Sequence, residues 1–437
     1  MTQPLLPEAF LSRMRRQLGD EIASFSEAMK SPSVRGIRLN PLKKTEAVCS
    51  YMKLERIPWA EDGYILPNED AAGAGILHAA GAFYLQEPSA MIPASVLDAK
   101  PGEMILDLCA SPGGKSTQIV CAMCGDGLLV CNEPVPKRAL VLSRNLERFG
   151  LPNTVVLCAR PDQLAEKWPE AFDALLVDAP CSGEGMFRRD PDTRREWSSE
   201  MSEGCARRQR EILHAAARLV RPGGRLVYST CTFNPAENEE TVFCFMKSFP
   251  AFHLEAFSRP GIDAPDGLFT CYPHRLKGEG QFIALLRKDG DTAAAFPEDR
   301  SLPLPSRDEL HVFADMFPDL PAPTRRFGSL LTAAPRNLPD LQDVRVYRLG
   351  LHLGEIRGKN VVPDHAAALC FTTNGIPSLN LSPDDAVRYV SGETISREVE
   401  GWILLRYRGL NIGWGKGSNG FIRNHYPRGL RNARLLP

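Results

Sequence analysis

The sequence predicts an α/β protein whose centre is an open, mostly parallel sheet covered by helices on both faces. Three observations predict it. Five short apolar runs, "MILDLC", "GLLVCNE", "TVVLCA", "DALLVDAP" and "RLVYSTC", recur between Met104 and Cys231 with helix-length segments between them, the alternation of a parallel sheet buried on two sides. A glycine-rich loop, "CASPGGK", follows the first run directly, where such a sheet opens into its crevice. On either side the pattern changes, to helical spacing before it and to short strands with glycine turns after it.

In order along the chain, residues 1–98 are expected to form an α+β extension. "EAFLSRMRRQLGDEIASFSEAMK", residues 8–30, carries apolar residues at helical spacing, and the basic stretch "RGIRLNPLK" follows. Residues 99–290 hold the sheet. Residues 291–325, rich in Pro and Asp, read as a linker. Residues 326–437 read as a small β-rich domain. From Gly401 to Pro437 there is no Asp or Glu, and Arg406, Arg408, Lys416, Arg423, Arg428, Arg431 and Arg434 sit among Trp402, Tyr407, Trp414, Phe421 and Tyr426. That mixture suits a surface that holds nucleic acid by backbone charge and base stacking.

Composition narrows the class. With 437 residues, 43% hydrophobic and 24% charged, the chain reads as a soluble globular protein of two or three domains. A net charge of −1 requires any nucleic-acid surface to be local. No run approaches the roughly 20 apolar residues of a membrane span, and "MTQPLLPEAFLSRMRRQ" lacks a signal peptide's apolar core. A cytoplasmic protein with no membrane partner is therefore expected, and nothing in the sequence demands more than a monomer. Twelve scattered cysteines fit a reducing compartment. Cys121-x-x-Cys124 lacks a second ligand pair and reads as two small buried helix residues, so no metal is expected.

The loop admits two chemistries. A phosphate-binding P-loop needs a glycine five residues before Gly114-Lys115-Ser116, where Cys109 stands. A nucleoside cofactor over the end of the first strand needs an acid at the end of the second for the ribose hydroxyls. Glu133 lies there, about 20 residues past the glycines. Arg138, one turn on, pairs with Glu133, flanks the cofactor or is a plain surface arginine.

In such a sheet "DALLVDAP" and "RLVYSTC" lie side by side next to the first strand, so Asp178, Cys181 and Cys231 reach one crevice beside the cofactor. After Cys231, Asn234 as N-cap, Pro235 at the first helical position and Glu237 at the third predict a helix start, whose positive end favours a thiolate at Cys231. Cys181 sits in the glycine turn "PCSGEG". A thiolate beside a nucleoside cofactor suits attack on the 6-position of a pyrimidine, which turns carbon 5 into a nucleophile toward a methyl donor.

At these residues the chain resembles the S-adenosylmethionine-dependent RNA cytosine-5 methyltransferases of the NOL1/NOP2/Sun family, and within it the bacterial ribosomal-RNA branch. "LDLCASPGGKSTQ", "NE" with Arg138, "DAPCSGEGMFRRDP" and "YSTCTFNPAENE" stand in the family's order and spacing. "AFYLQEPSAM" and "PHRLKGEGQFIALLRK" also look like family segments, and the C-terminal part is similar to the family's PUA-like appendage. The resemblance implies a Rossmann-like methyltransferase sheet and S-adenosylmethionine held by Cys109, Ala110, Ser111, Pro112, Gly113, Gly114, Lys115, Glu133, Arg138 and Asp178. It implies that Cys231 attacks the cytosine, that Cys181 assists release, that Asp178 contacts the methyl donor or the base, and that Lys115 reaches the base. The partner is RNA, ribosomal first and transfer RNA second, held through phosphates by "RGIRLNPLK" and the basic tail. One departure stands out: after "TVVLCA", where the family often has an acid for the adenine, Arg160 and Pro161 stand, with Asp162 displaced, and adenine recognition there stays unassigned.

Three rival functions follow from the same residues. A DNA cytosine-5 methyltransferase uses a Pro-Cys nucleophile at the place of Cys181 and needs no second cysteine. A non-catalytic RNA-binding ribosome-assembly factor needs neither cysteine nor loop. A P-loop nucleotidase needs the glycine that Cys109 replaces.

Overall fold

The computed structural model describes residues 6–43, 54–67, 75–292, 302–335, 337–370 and 375–432. The five apolar runs form β1 (Met104–Asp107), β2 (Leu128–Asn132), β3 (Thr154–Cys158), β4 (Phe172–Asp178) and β5 (Val220–Thr230), all paired in parallel. β1 lies between β2 and β4, with β5 outside β4. The order therefore reverses at β1, which puts the ligand crevice over the carboxyl ends of β1, β4 and β5.

Alternation within each strand builds two cores. Ile105, Leu129, Val156, Leu176 and Val227 face α1 (Gly114–Ala122) and α2 (Pro136–Phe149). Leu106, Val130, Val155, Leu175 and Leu226 face α3 (Pro161–Lys167), α4 (Ser199–Leu219) and α5 (Glu239–Ser248). These strand residues are fully buried, each contributing about 1.5–3 kcal/mol of hydrophobic stabilisation.

Antiparallel strands complete the sheet. β6 (Phe252–Leu254), β7 (Leu268–Cys271) and β8 (Gln281–Lys288) extend it beyond β5, with β8 paired to β5 and both β6 and β7 paired to β8. On the far edge β9 (Arg345–Leu349) pairs with β3. Part of the segment 326–437 thus belongs to the central sheet, where it covers the backbone groups β3 would otherwise leave unpaired.

The expected linker 291–325 is not wholly irregular. Helix α6 (Arg307–Met316) begins at a capping box in which Ser306 accepts from the Glu309 N–H and Glu309 from the Ser306 N–H. Phe313 and Phe317 are buried beside Trp414. The S-x-x-E signal was present in "SRDE", but the proline-rich composition around it outweighed it. Residues 293–301 of this segment lie outside the described residues.

The N-terminal helices Glu8–Leu18 and Ile22–Ala28 precede a four-stranded antiparallel sheet built from residues 55–56, 63–66, 35–39 and 83–85. Two of the three cations in "RGIRLNPLK", Arg38 and Lys43, are not on the phosphate surface expected of the stretch. Arg38 is 2% exposed and donates to Gln86 Oε1 (3.1 Å), the Gly114 carbonyl (3.3 Å) and Thr117 Oγ1 (2.5 Å). Lys43 donates to the Ala80 and Arg148 carbonyls at 2.6 and 2.7 Å, and burial lowers its ammonium to about 7. Both cations are used inside the protein, tying the extension to α1 and α2. Arg38→Met is expected to lower the melting temperature by several degrees, because three acceptors lose their donor; an unchanged melt in calorimetry would show that the contacts are dispensable.

After α6, residues 325–333 and 351–363 form a four-stranded sheet, and residues 378–424 supply a five-stranded one. The second packs Tyr389, Leu405, Ile412 and Ile422 into one cluster with Ile37, Leu39, Ile76 and Phe83 of the extension. Of the aromatics in the basic tail, Tyr407, Trp414 and Tyr426 are core, while Phe421 is 53% exposed and Lys416 lies 5.3 Å from the Trp402 ring. Arg434 lies outside the described residues. Among the described residues no helix is long and apolar enough to cross a membrane.

Candidate active site

β1 ends at Asp107 and α1 begins at Gly114, so the loop between them stands over the switch point. Gly113 has φ +113°, a conformation side chains rarely adopt, and a Cβ at Gly114 would come within 3.2 Å of the Tyr84 ring. Asp107 is fully buried, accepts from Ser116 Oγ at 2.6 Å, and burial pushes its carboxyl up to about 7. The folded state therefore keeps a proton that the unfolded chain loses near pH 4, so this group makes stability fall as pH rises from about 4 to about 7. Asp107→Asn should accordingly gain melting temperature relative to the parent between pH 5 and pH 8; parallel pH profiles would contradict this.

Glu133 directly follows β2 and is 2% exposed. It accepts from the Val135 N–H at 3.0 Å and pairs with Arg138 at 3.3 Å. Arg138 also donates to the Ser111 carbonyl at 3.1 Å, so it bridges the acid to the loop. After β3, Arg160 and Asp162 form an exposed ion pair at 2.7 Å, and no residue there is assigned to an adenine.

The crevice is lined by Cys109, Ala110, Ser111, Pro112, Gly114 and Lys115 from the loop and by Asp178 and Cys231 from the ends of β4 and β5. Lys115 Nζ donates to Asp178 Oδ2 at 2.7 Å, and Asp178 Oδ1 accepts from Ser229 Oγ at 2.8 Å and Gln281 Nε2 at 3.3 Å. Burial alone would lower the Lys115 ammonium, but the charge and hydrogen bond of Asp178 outweigh it and hold the ammonium above its usual value. Burial pushes the Cys109 thiol up, which makes it an inert member of the loop.

Cys181 does not line the crevice with the others, but its sulfur lies 3.0 Å from that of Cys231. Its hydrogen bond to Cys231, followed by burial, pushes the Cys181 thiol well above the ordinary range. Cys231 in turn donates its backbone N–H to the Cys181 sulfur at 3.2 Å. The expected helix start at Asn234 is displaced: residues 235–238 form a turn, and α5 begins only at Glu239. Asn234 caps that turn through the Ala236 N–H at 3.1 Å, whereas Glu237 points elsewhere. The helix end expected to favour a thiolate at Cys231 is therefore not beside it.

Tyr84, Gln86, Met186, Arg189 and Gln281 also line the crevice, and Ser229 supports Asp178 from behind it, none of them marked in the sequence by a motif role. Tyr84 and Gln86 lie in "AFYLQEPSAM" and Gln281 in "GEGQF", and only tertiary contact shows that the N-terminal extension supplies a wall. Two glycines permit the two cysteine loops to meet. A Cβ on Gly185 would fall 2.6 Å from the Gly280 carbonyl and 3.0 Å from that of Cys231. Gly185→Ala should cost about 1–3 kcal/mol of stability through overpacking, read by chemical denaturation.

Four family models match successive parts of the chain: the N-terminal domain of 16S rRNA methyltransferase RsmF over residues 6–88, 16S rRNA methyltransferase RsmB/F over 94–287, the RsmF first C-terminal domain over 312–371 and the RsmF PUA domain over 377–432. The chain is 32% identical to ribosomal RNA small subunit methyltransferase F of Shigella boydii, over 98% of each chain. It is also 32% identical to the protein of that name from Cronobacter sakazakii, over 99% of this chain and 97% of the other. Among solved structures, a methyltransferase homolog from Pyrococcus horikoshii shares 28% identity and a TM-score of 0.57 over 64% of this chain and 95% of that one. NSun6 from Pyrococcus horikoshii, solved with SFG, shares the fold with a TM-score of 0.56 at 21% identity, over 65% of this chain and 99% of that one. With relatives matched from end to end and the two cysteine loops converging on one crevice, the chain belongs to the family of 16S rRNA methyltransferases RsmB/F.

Proposed function

We propose that the protein transfers a methyl group from S-adenosylmethionine to carbon 5 of a cytosine in ribosomal RNA, with transfer RNA as the second substrate class. It is read as a monomer working in the cytoplasm. The observation that carries this reading is the pair of sulfurs, 3.0 Å apart, at the ends of neighbouring strands beside the glycine loop. The residues fit the cofactor: Glu133, directly after β2, is a buried acid, and Asp107 Oδ1 is buried at the crevice with no hydrogen-bond partner among the described residues. Residues 109–115, Glu133, Arg138 and Asp178 would hold it, and when bound it supplies an electrophilic methyl group.

The chain's own residues supply the rest. The target base is unpaired or extruded to enter the crevice. The Cys231 sulfur adds to carbon 6, and the electron pair displaced from the 5,6 double bond makes carbon 5 nucleophilic. The Lys115–Asp178 pair, fixed by Ser229 and Gln281, holds the base or the methyl donor. After transfer a base takes the carbon 5 proton, the C–H electron pair restores the double bond, and the Cys231 sulfur leaves with the C–S pair. Cys181 is assigned to this release.

Labelled S-adenosylmethionine offered with ribosomal RNA, transfer RNA or DNA should label 5-methylcytosine in RNA; label confined to DNA, or none, contradicts the proposal. Bisulfite mapping of ribosomal RNA from cells lacking the protein then identifies the position.

A further inference from the structure

Two buried carboxylates tie the cysteine loops to each other reciprocally. Glu237, six residues after Cys231 in the chain, is fully buried and reaches across to the residue after Cys181. Its Oε2 accepts from the Ser182 N–H at 2.9 Å and from Gln209 Nε2 at 3.0 Å; its Oε1 accepts from Ser182 Oγ at 2.5 Å and Ser202 Oγ at 2.6 Å. Glu184, three residues after Cys181, reaches back and accepts from the Phe233 N–H at 3.1 Å, while Arg13 pairs with it at 2.6 Å and Trp197 donates to it at 3.1 Å. Between the two acids, Ser182 and Thr232 hydroxyls lie 2.9 Å apart and the Gly185 N–H donates to the Cys231 carbonyl at 2.9 Å.

The two acids act on different parts of the pair. Cys231 shares two backbone contacts with the Cys181 loop, through Gly185 and the Cys181 sulfur, but it also has a fixed support of its own: Thr230 just before it is locked by the β5–β8 ladder opposite Phe282 and by its hydroxyl on Asn238 at 2.6 Å. Cys181 lies past the end of β4 in a turn with no ladder of its own. Ser182 is fixed chiefly by Glu237, a carboxylate with four converging donors, and hydrogen bonds to a charged group are the strong ones. These four donors occupy the acid that was expected to close the capping box after Cys231.

We infer that Glu237 is a positioning residue for Cys181: it sets the Ser182 backbone so that the Cys181 sulfur meets that of Cys231, and its loss impairs release of the methylated RNA more than attack on it. This rests on the assignment of attack to Cys231 and release to Cys181. Glu237→Gln keeps an acceptor for the Ser182 and Gln209 N–H groups and turns its amide toward two hydroxyls that can accept, so it should restore what Glu237→Ala loses.

The test compares Cys181→Ala, Glu237→Ala and Glu237→Gln by two readouts, methyl turnover and the fraction of enzyme joined to RNA on a denaturing gel. Glu237→Ala should form adduct and retain it, with turnover lowered on the order of 10- to 100-fold, the scale of a lost hydrogen bond to a charge, and Glu237→Gln should release it nearly as the parent does. Equal loss of adduct and turnover in Glu237→Ala, or release at the parental rate, overturns the inference. Failure of Cys181→Ala to retain adduct instead overturns the underlying assignment. Should Glu237→Ala not fold, Ser182→Ala, which leaves the carboxylate its other three donors, decides in the same assay: adduct above the parental level supports the role and adduct at that level overturns it.

Discussion

Cys231→Ala is expected to abolish methyl transfer, with a fall on the order of 10⁴-fold or more, as befits loss of a covalent nucleophile. No adduct with RNA should form, because neither neighbouring thiol is placed as a nucleophile: Cys181 does not line the crevice, and burial pushes the thiol of Cys109, which does, well up. Binding of S-adenosylmethionine should persist, since the loop and Glu133 are untouched. Rapid quench of the variant with labelled cofactor checks both statements, and residual turnover within tenfold of the parent, roughly 1.4 kcal/mol in the barrier, would remove Cys231 from the reaction.

Cys181→Ala should do the opposite to the adduct. Attack by Cys231 remains available, methyl transfer proceeds once, and the enzyme stays joined to its RNA, visible as a band of raised mass that survives denaturation. If Cys181→Ala turned over normally while Cys231→Ala retained RNA, the two roles would be exchanged. The two variants together therefore assign attack and release without reference to any relative.

Which parts of this site are readable before folding depends on the range of the interaction. The β1 loop, Glu133 at the end of β2, and cysteines at two strand ends are local features, marked by period-two apolar runs and by glycine and proline punctuation. Arg38 was misread for the opposite reason. In sequence it is a cation in a basic stretch; in the structure its partner Thr117 is 79 positions away. Gln281 likewise meets Asp178 across 103 positions, and β9 meets β3 across nearly two hundred. The helix after Cys231 was displaced by a tertiary competitor, since Glu237, a good third residue for a capping box, is taken by Ser182, Ser202 and Gln209.

By itself the sequence determined the strands, their neighbours β4 and β5, the loop and the two cysteines, because hydrophobic period and turn chemistry act over a few residues and the order of a parallel sheet follows from its crossovers. Only the tertiary structure decided which charges are buried, which acid fixes which loop, and how closely the two cysteine sulfurs meet. Those outcomes depend on burial and on donors brought together from distant positions, and neither exists until the chain has packed.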